Sequence, residues 1–287
     1  MDLSIIIVNR NTCELLKKCL ASIYNNTANL DFEIIVIDNA STDDSIQMTK
    51  NRFSQVKIIT NNINTGYAFA NNQGIKISTG DFILLLNSDT EVLPNCLPTM
   101  ISYMRVHPQA GLAGCKLLNI DQTLQPSVRR NPRLWDQMVI LTKLPNFFPN
   151  AIKHYLYSDF DYNHEAEVDQ IMGAFMLIRR AVVNQIGGLD QNTFFWFDDV
   201  DYCQRTKNAG WQIIYTPIAQ IIHLKGYTAD KYLPLTKQKM FVKSLLYYFK
   251  KQQGIGAYLI LLPGAGLSLV LAWLVQLFKI KKKNKDL

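Results

Sequence analysis

The stretch Asp81–Pro94, DFILLLNSDTEVLP, decides how the rest of the chain is read. Four apolar residues in a row, Ile83 to Leu86, have the length and composition of a strand buried on both faces. The chain then turns at once to Asn87, Ser88 and Asp89. Each of these residue types favours a turn by bonding its own backbone, so a turn is one explanation. The other is a ligand at the strand end. The pattern recurs upstream. Strands are expected at Leu3–Val8, Phe32–Ile37, Val56–Ile59 and Phe82–Leu86, followed by NRNT (Asn9–Thr12), DNAST (Asp38–Thr42), NNINTG (Asn61–Gly66) and NSD. Helical patterns lie between them. Leu15, Leu16, Cys19, Leu20 and Ile23 recur at helical spacing, Thr42 is placed to cap a helix running towards Phe53, Tyr67–Ile77 reads as a third helix, and Pro94 suits the first turn of a fourth. Strand alternating with helix gives an α/β fold with a mostly parallel sheet covered on both faces. In such a sheet ligands bind beyond the carboxyl ends of the strands, and four polar ends on one edge favour a binding crevice.

The chain has 287 residues, enough for one large domain or two small ones. Its five cysteines, Cys13, Cys19, Cys96, Cys115 and Cys203, are scattered and form no C-x-x-C pair. That argues against a zinc site and a disulfide framework and for a reducing compartment. The start, MDLSIIIVNRN, has no basic run, and no secretory signal is expected from it. The net charge of +7 is unevenly spread. From Lys231 onward there are 11 Lys against 1 acidic residue, whereas residues 1–230 hold 19 Lys and Arg against 22 Asp and Glu. The basicity belongs to the tail, next to a long uncharged stretch. It points to an anionic membrane surface, and no nucleic acid is expected as a partner.

The crevice excludes two common ligand classes. No G-x-G-x-x-G follows the first strand, and no G-x-x-x-x-G-K-[ST] occurs. An Asp at a strand end suits a base N–H or ribose hydroxyls. An Asp with a neighbouring Asn suits a divalent cation, which would in turn hold a diphosphate.

The order SIIIVNRN, VIDNAST, NTGYAFANNQG and LLLNSDTEV resembles the nucleotide-sugar-binding half of glycosyltransferase family 2, with a closer look to its bacterial rhamnosyltransferase-like members. MGAFMLIRR (Met172–Arg180), GGLDQNTFFWFDDVDYCQRTKNAGW (Gly187–Trp211) and IIHLKG (Ile221–Gly226) agree in the second half. The resemblance implies a GT-A fold, Rossmann-like with a mostly parallel sheet. It implies inverting, metal-dependent transfer from a nucleotide-diphosphate sugar, with rhamnose a candidate, to a glycan or lipid-linked acceptor in cell-surface polysaccharide synthesis. It implies Val8 and Asp38 at the nucleotide base, Asn72 near the nucleotide, and Asn87 and Asp89 on the family's metal-and-ribose motif. That motif usually reads D-x-D. Asn87 replaces its first acid, which keeps a bond to ribose but brings no charge. Asp199, in the element reading Asp198-Asp199, takes the general-base role. Arg205 and His223 fall where relatives face the diphosphate and the metal, so Asp89 and His223 are the candidate ligands of Mg²⁺ or Mn²⁺.

The residues themselves bear on these roles. Asp198 and Asp199 open a helix expected to end near Gly210, and acids there also complement the helix dipole. The aromatic run Phe194–Phe197 that delivers them can raise a carboxyl pKa and form an acceptor floor. Gly173 and Ala174 leave room for a sugar or simply pack in a strand. Arg129, Arg130 and Arg133 lie between Pro126 and Leu134, either solvated or gripping an anionic acceptor, and residues 143–166 read as an acceptor-side insertion. Two rival functions stay open: a nucleotidyltransferase of the same fold, disfavoured because NRNTCE lacks a Gly-rich basic loop, and a nucleotide-sugar or glycan binder without turnover.

The expected division is a catalytic domain over 1–230, with a nucleotide-binding half (1–120) and an acceptor half (121–230), followed by a membrane-associating segment over 231–287. From Gln252 to Phe278 there are 27 residues without a charge. As a helix they would reach about 40 Å, against a bilayer core of about 30 Å. A single span would put Lys279, Lys281, Lys282, Lys283 and Lys285 outside, against the positive-inside tendency. Pro263-Gly264 is expected to kink or break the helix. A re-entrant hairpin or in-plane pair at the cytoplasmic face of the cell membrane satisfies both constraints. A buried or oligomer-contact helix is the remaining alternative. KQKMFVKSLLYYFKK, which precedes it, is amphipathic enough to lie on the membrane surface.

Overall fold

A computed structural model describes residues 1–224 and 233–283. Four apolar strands, β1 (Leu3–Asn9), β2 (Phe32–Asn39), β3 (Lys57–Asn61) and β4 (Phe82–Asn87), alternate with helices α1 (Cys13–Asn26), α2 (Ser45–Arg52) and α3 (Tyr67–Ile77). β1 is the axis. It pairs in parallel with β2 (Ile5↔Ile34) and, on its other side, with β4 (Ile5↔Leu84). β3 continues the sheet beyond β2. Chain order therefore reverses between β1 and β4, and the crevice of an open α/β sheet lies at such a switch point. Successive β1 residues serve opposite faces, as a strand period of two requires. Leu3, Ile5 and Ile7 pack under α1 with Leu16 and Leu20, while Ile6 packs under α3 with Ala70 and Ile75. Each fully buried aliphatic side chain contributes about 1.5–3 kcal/mol.

The second half adds β5 (Thr90–Val92), α4 (Cys96–Val106), β6 (Ala110–Leu118), β7 (Val128–Arg129), α5 (Leu134–Leu141), α6 (Lys153–Leu156), β8 (Ala166–Glu167), β9 (Gln170–Ile171), β10 (Phe175–Arg179), α7 (Arg180–Ile186), α8 (Asp198–Asn208) and β11 (Gln212–His223). The sheet order is β3-β2-β1-β4-β10-β6-β11-β5, with β8 paired to β11. β10 is antiparallel to both β4 and β6, which makes the sheet mixed but mostly parallel.

Two local expectations are corrected. Thr42 does not cap α2. Its N–H and hydroxyl are held by Asn11 Oδ1 at 2.7 and 3.3 Å, and Asp43 Oδ1 instead accepts the Ser45 N–H at 3.1 Å. Pro94 lies outside α4, because Asn95 in the left-handed region (φ 59°) precedes the first helical residue, Cys96. Gly210, with φ 88°, sits just past α8 as expected.

The tail is one helical element, α9 (Pro234–Lys283), broken at Gly254 (φ 86°, ψ −178°). That conformation is open to glycine and costly for any other residue. The two arms fold back as a hairpin. Leu235 N–H donates to Gln276 Oε1 (3.2 Å), and Gln238 and Ser268 are bonded side chain to side chain. The break is thus not at Pro263-Gly264. Helix continues through Pro263. Gly264 serves close packing instead, since a Cβ there would lie 2.6 Å from Met138 Sδ on α5. The first arm's apolar face packs on protein rather than lipid. Val242, Leu245, Tyr248 and Phe249 form one cluster with Leu141, Phe197, Val200 and Leu261. Lys225, Gly226 and Lys285 lie outside the described residues.

Candidate active site

The strand ends are tied together before any ligand is considered. Asn9 Nδ2 donates to Asp38 Oδ1 (3.0 Å), and Ser41 N–H donates to Asp38 Oδ2 (2.9 Å). Thr12 and Ser88 hydroxyls meet at 3.0 Å and join the β1 and β4 ends. Asn39 Oδ1 accepts Thr65 N–H (3.0 Å), and its Nδ2 donates to Asn64 Oδ1 (2.8 Å), which shapes the loop before α3. These bonds answer the turn-chemistry explanation in part: much of the polar edge binds itself.

What remains open is a cavity of about 440 Å³ at the carboxyl ends of β1, β2 and β4. Its wall includes Val8, Arg10, Asn39, Tyr67, Asn87, Asp89, Gly173, Phe194, Trp196, Asp198, Asp199 and His223. Five of the predicted site residues therefore meet there: Val8, Asn87, Asp89, Asp199 and His223. Asp38 is buried beneath the edge, holding Asn9 and Ser41.

Asn72 and Arg205 are not brought to this cavity. Asn72 clamps the backbone of Leu189, donating to its carbonyl (2.8 Å) and accepting its N–H (2.9 Å). Arg205 donates to Asp201 (2.8 Å) and to the carbonyls of Ile186 (2.9 Å) and Gly188 (2.7 Å). Both side chains are consumed in fixing the turn after α7. Gly188 lies so close to Asn72 that a Cβ would fall 2.2 Å from Asn72 Oδ1.

That turn leads into the aromatic run that presents the acids. Tyr67 N–H donates to the Phe194 carbonyl (3.1 Å). Trp196 and Phe197 then take successive left-handed conformations (φ 65° and 63°). Two such bulky residues in a row are strained and persist only where the surroundings over-determine them. Here the first arm of α9 does so. Ser244 Oγ donates to the Phe195 carbonyl (2.9 Å), and the Phe197 ring packs on Phe241 and Tyr248. Lys237 of the same arm lines the cavity.

α8 then opens with Asp198 and Asp199. Asp199 Oδ2 accepts the Gly173 N–H (3.1 Å), and Oδ1 accepts the Val200 N–H (2.8 Å). Burial pushes the Asp199 carboxyl above the ordinary range, against those two N–H groups and the Arg129 charge. Burial and the neighbouring Asp199 charge push Asp198 up as well. Tyr67, whose hydroxyl donates to the Gly173 carbonyl (3.0 Å), is kept neutral by burial and by the nearby acids. A basic carboxylate with room beside it can take a proton from a hydroxyl. Gly173 has that room: a Cβ there would meet Asp199 at 3.6 Å, an ordinary contact.

In the same cavity, His223 Nε2 lies 3.4 Å from Asp89 Oδ1 and 3.4 Å from Asn87 Nδ2. His223 Nδ1 meets Gln125 Oε1 at 2.7 Å, and Gln125 Nε2 donates to Asn119 Oδ1 (2.8 Å). With that amide orientation Nδ1 carries the proton, which leaves the Nε2 lone pair facing Asp89. A carboxylate and an oriented imidazole nitrogen suit a divalent cation. Among the described residues no group of three His, Cys, Asp or Glu gathers anywhere. The pair thus fits a cation shared with a bound ligand better than an all-protein cage. Tyr67, Gln125 and Lys237 were not singled out from sequence. Nothing local marks them, because each reaches the site from a distant segment.

The family model for Glycosyl transferase family 2 matches residues 4–187. An N-acetylglucosaminyl-diphospho-decaprenol L-rhamnosyltransferase of Mycobacterium tuberculosis is 26% identical over 210 residues, covering 69% of this chain and 68% of that protein. Rhamnosyltransferase WbbL of Escherichia coli is 29% identical over 237 residues, covering 76% and 82%. The mannosyltransferase PcManGT from Pyrobaculum calidifontis, solved in complex with GDP-Man and Mn²⁺, superposes with a TM-score of 0.58 at 17% identity, over 94% of this chain and 74% of that one.

Proposed function

The chain belongs to glycosyltransferase family 2 and has its GT-A fold, and from that premise we propose that it transfers a sugar, with inversion, from a nucleoside-diphosphate donor to a hydroxyl of a glycan or lipid-linked acceptor. The observation that carries this reading is the Asp199 carboxylate, fixed by the Gly173 and Val200 N–H groups in the cavity that also holds Asp89 and His223. Asp199 accepts the acceptor hydroxyl's proton. The freed oxygen pair forms the new bond to the anomeric carbon, while the carbon–oxygen bond to the diphosphate breaks on the opposite face and its electrons leave with the diphosphate. Asp89 and His223 would hold Mg²⁺ or Mn²⁺, and a cation there supplies neutralising charge to the leaving diphosphate. Val8 and Asn39 line the nucleotide side, and Phe194, Phe195 and Trp196 supply an apolar wall on the other. Such a wall suits the methyl group of a 6-deoxy sugar. Rhamnose is the donor sugar favoured, in keeping with the two rhamnosyltransferases above.

The reading includes attachment to the cytoplasmic face of a membrane. The second arm of α9 runs 24 uncharged residues from Ile255 to Phe278, or ~36 Å. Its outer face leaves Leu259, Ile260, Val270, Trp273 and Phe278 exposed. Phe147 and Trp135 are exposed as well. Lys239, Lys243 and Lys250 are exposed on the first arm. An apolar face of this length next to basic residues suits the interface of an anionic membrane. The hairpin favours lying at that interface over a single span.

The test is Asp199→Asn. The amide fills the same space but accepts no proton, so transfer should be lost while donor affinity stays within a few-fold. Transfer at near wild-type rate would remove Asp199 from the chemistry.

A further inference from the structure

A second cavity, of about 410 Å³, shares no lining residue with the first. Its wall holds Arg130, Asn131, Arg133, His154, Asp169 and Gln253. The charges do not balance there. Asp169, the one carboxylate of the wall, is already matched by Lys207 (2.7 Å) and by the Asn131 N–H (3.2 Å). Among the described residues Arg130 forms an ion pair only with Asp159, at 3.9 Å and 79% exposed. A pair that long and that wet is worth little. Arg133 makes no ion pair among the described residues.

The hydrogen bonds lean the same way. The Arg130 guanidinium lies over the Tyr157 ring (4.1 Å) and donates through Nη1 to His154 Nε2 (3.2 Å). An imidazole that accepts at Nε2 is neutral and carries its proton on Nδ1. That Nδ1 and Arg130 Nε are both shut off from solvent, and neither has a partner among the described residues. Asn131 Oδ1 is unpartnered too. Two guanidinium groups on one cavity wall, one weakly paired and one without an ion pair among the described residues, call for an oxyanion with several acceptor oxygens. Phosphate is the one arginine forks fit best.

The position of the cavity says what carries the phosphate. Its wall includes Leu134, and the next residue, Trp135, is 71% exposed. It also includes Gln253 at the α9 break, and Ile255, two residues on, is 58% exposed and begins the apolar outer face. The cationic cavity therefore lies at the polar rim of that face, where lipid phosphates sit when an apolar face rests in a bilayer interface. We propose that the Arg130–Arg133–His154 cavity binds a lipid-borne phosphate, either that of a lipid-linked acceptor or that of a bilayer phospholipid. This rests on the membrane reading above.

The test uses the full chain in neutral detergent with three probes: farnesyl phosphate, farnesol and inorganic phosphate. Flotation on phosphatidylcholine vesicles, with and without phosphatidic acid, runs in parallel. Farnesyl phosphate should bind wild type more tightly than either fragment. R130Q/R133Q should weaken it at least tenfold, and Arg133→Gln alone, at an exposed side chain that leaves the fold intact, several-fold. If the double variant also loses the preference for phosphatidic acid, the head group is a source. If it loses only farnesyl phosphate, the acceptor is the source. Both results support the assignment. Inorganic phosphate binding as tightly as farnesyl phosphate would overturn the lipid assignment, and unchanged affinity in both variants would overturn the cavity itself. Wild type that floats with neither vesicle would sink the membrane reading and the lipid assignment with it, whereas wild type that floats equally with the variants sinks only this proposal if farnesyl phosphate binding is also unchanged.

Discussion

Phe249→Ala tests whether the tail is part of the catalytic body. Phe249 is fully buried on the first arm of α9, in the cluster that includes Phe197, Val200 and Leu141. Its ring meets Tyr248 edge-on at 5.3 Å, and Tyr248 in turn packs on Phe197. Truncating a buried Phe to Ala costs about 3–5 kcal/mol, through lost transfer energy and the cavity left behind. Against a usual total of about 5–15 kcal/mol, that lowers the folded-to-unfolded ratio by two or more orders of magnitude. Denaturant unfolding of the full chain in detergent should show the midpoint falling at unchanged slope. The control is Val275→Ala on the exposed outer face, expected within about 0.5 kcal/mol of wild type. A second effect follows from position. The cluster holds Phe197 in its left-handed conformation, and Phe197 directly precedes the acids of α8. Under conditions where the variant is still folded, its kcat should therefore drop while donor affinity holds. A stability loss below about 1 kcal/mol would refute the packing argument. A full loss with kcat unchanged would refute the claim that the tail holds the Asp199 turn.

Three further outcomes are expected. Asp89→Ala should weaken donor binding far more in Mg²⁺ or Mn²⁺ than in EDTA, because it removes the carboxylate beside His223 Nε2; calorimetric titration in both buffers checks this, and equal losses would mean that Asp89 holds ribose or fold. Because burial raises both Asp199 and Asp198, transfer should fall with decreasing pH already above the ordinary carboxylate range, as a pH–rate profile will show. The same shifts make the folded chain hold more protons than the unfolded one between the ordinary and raised values, so stability should decline as pH rises through that window. A limb of the rate profile within the ordinary carboxylate range would mean that burial does not raise the base.

The parallel half of the sheet was legible because its signals are local. Ile83 to Leu86 announces a strand with both faces covered, and Asn87 to Asp89 announces its end. Asp89 and His223, 134 positions apart in the chain, were joined only through the family resemblance, since no spacing rule links a turn residue to the end of β11. Asn72 and Arg205 show the limit of that route. A polar side chain in a matching motif can serve the ligand or the scaffold, and the choice depends on which backbone groups lie within reach. Here the turn at Ile186–Leu189 presents carbonyls and an N–H that both side chains meet, so they hold the turn that carries the aromatic run. The helix breaks at Gly254 and not at Pro263 for a related reason. Sequence rules rank Pro as the stronger breaker, but a helix can lose one backbone bond and continue. Reversal needs a conformation that only Gly takes cheaply, and it also needs something for the returning arm to pack on.

That something is the catalytic half itself, which changes how the tail should be understood. Lys251 bridges Asp190 (2.6 Å) and Asp201 (2.7 Å), and Gln252 adds a bond to Asp201 (2.9 Å). Asp201 also holds Arg205, so one buried carboxylate joins α8, the turn after α7 and the end of the first α9 arm. Such a carboxylate, with three donors from two directions, is stable only while all of them are present; removing one leaves charge in a dry site. A cut at residue 230, the expected domain boundary, therefore does more than release a membrane segment. It removes Lys251 and Gln252 from Asp201 and strips Phe249 from beneath Phe197. The strain stored at Trp196 and Phe197 would then have nothing to oppose it. The hairpin thus couples two tasks in one element: its inner face fixes the geometry of Asp199, and its outer face presents the apolar surface assigned to the membrane.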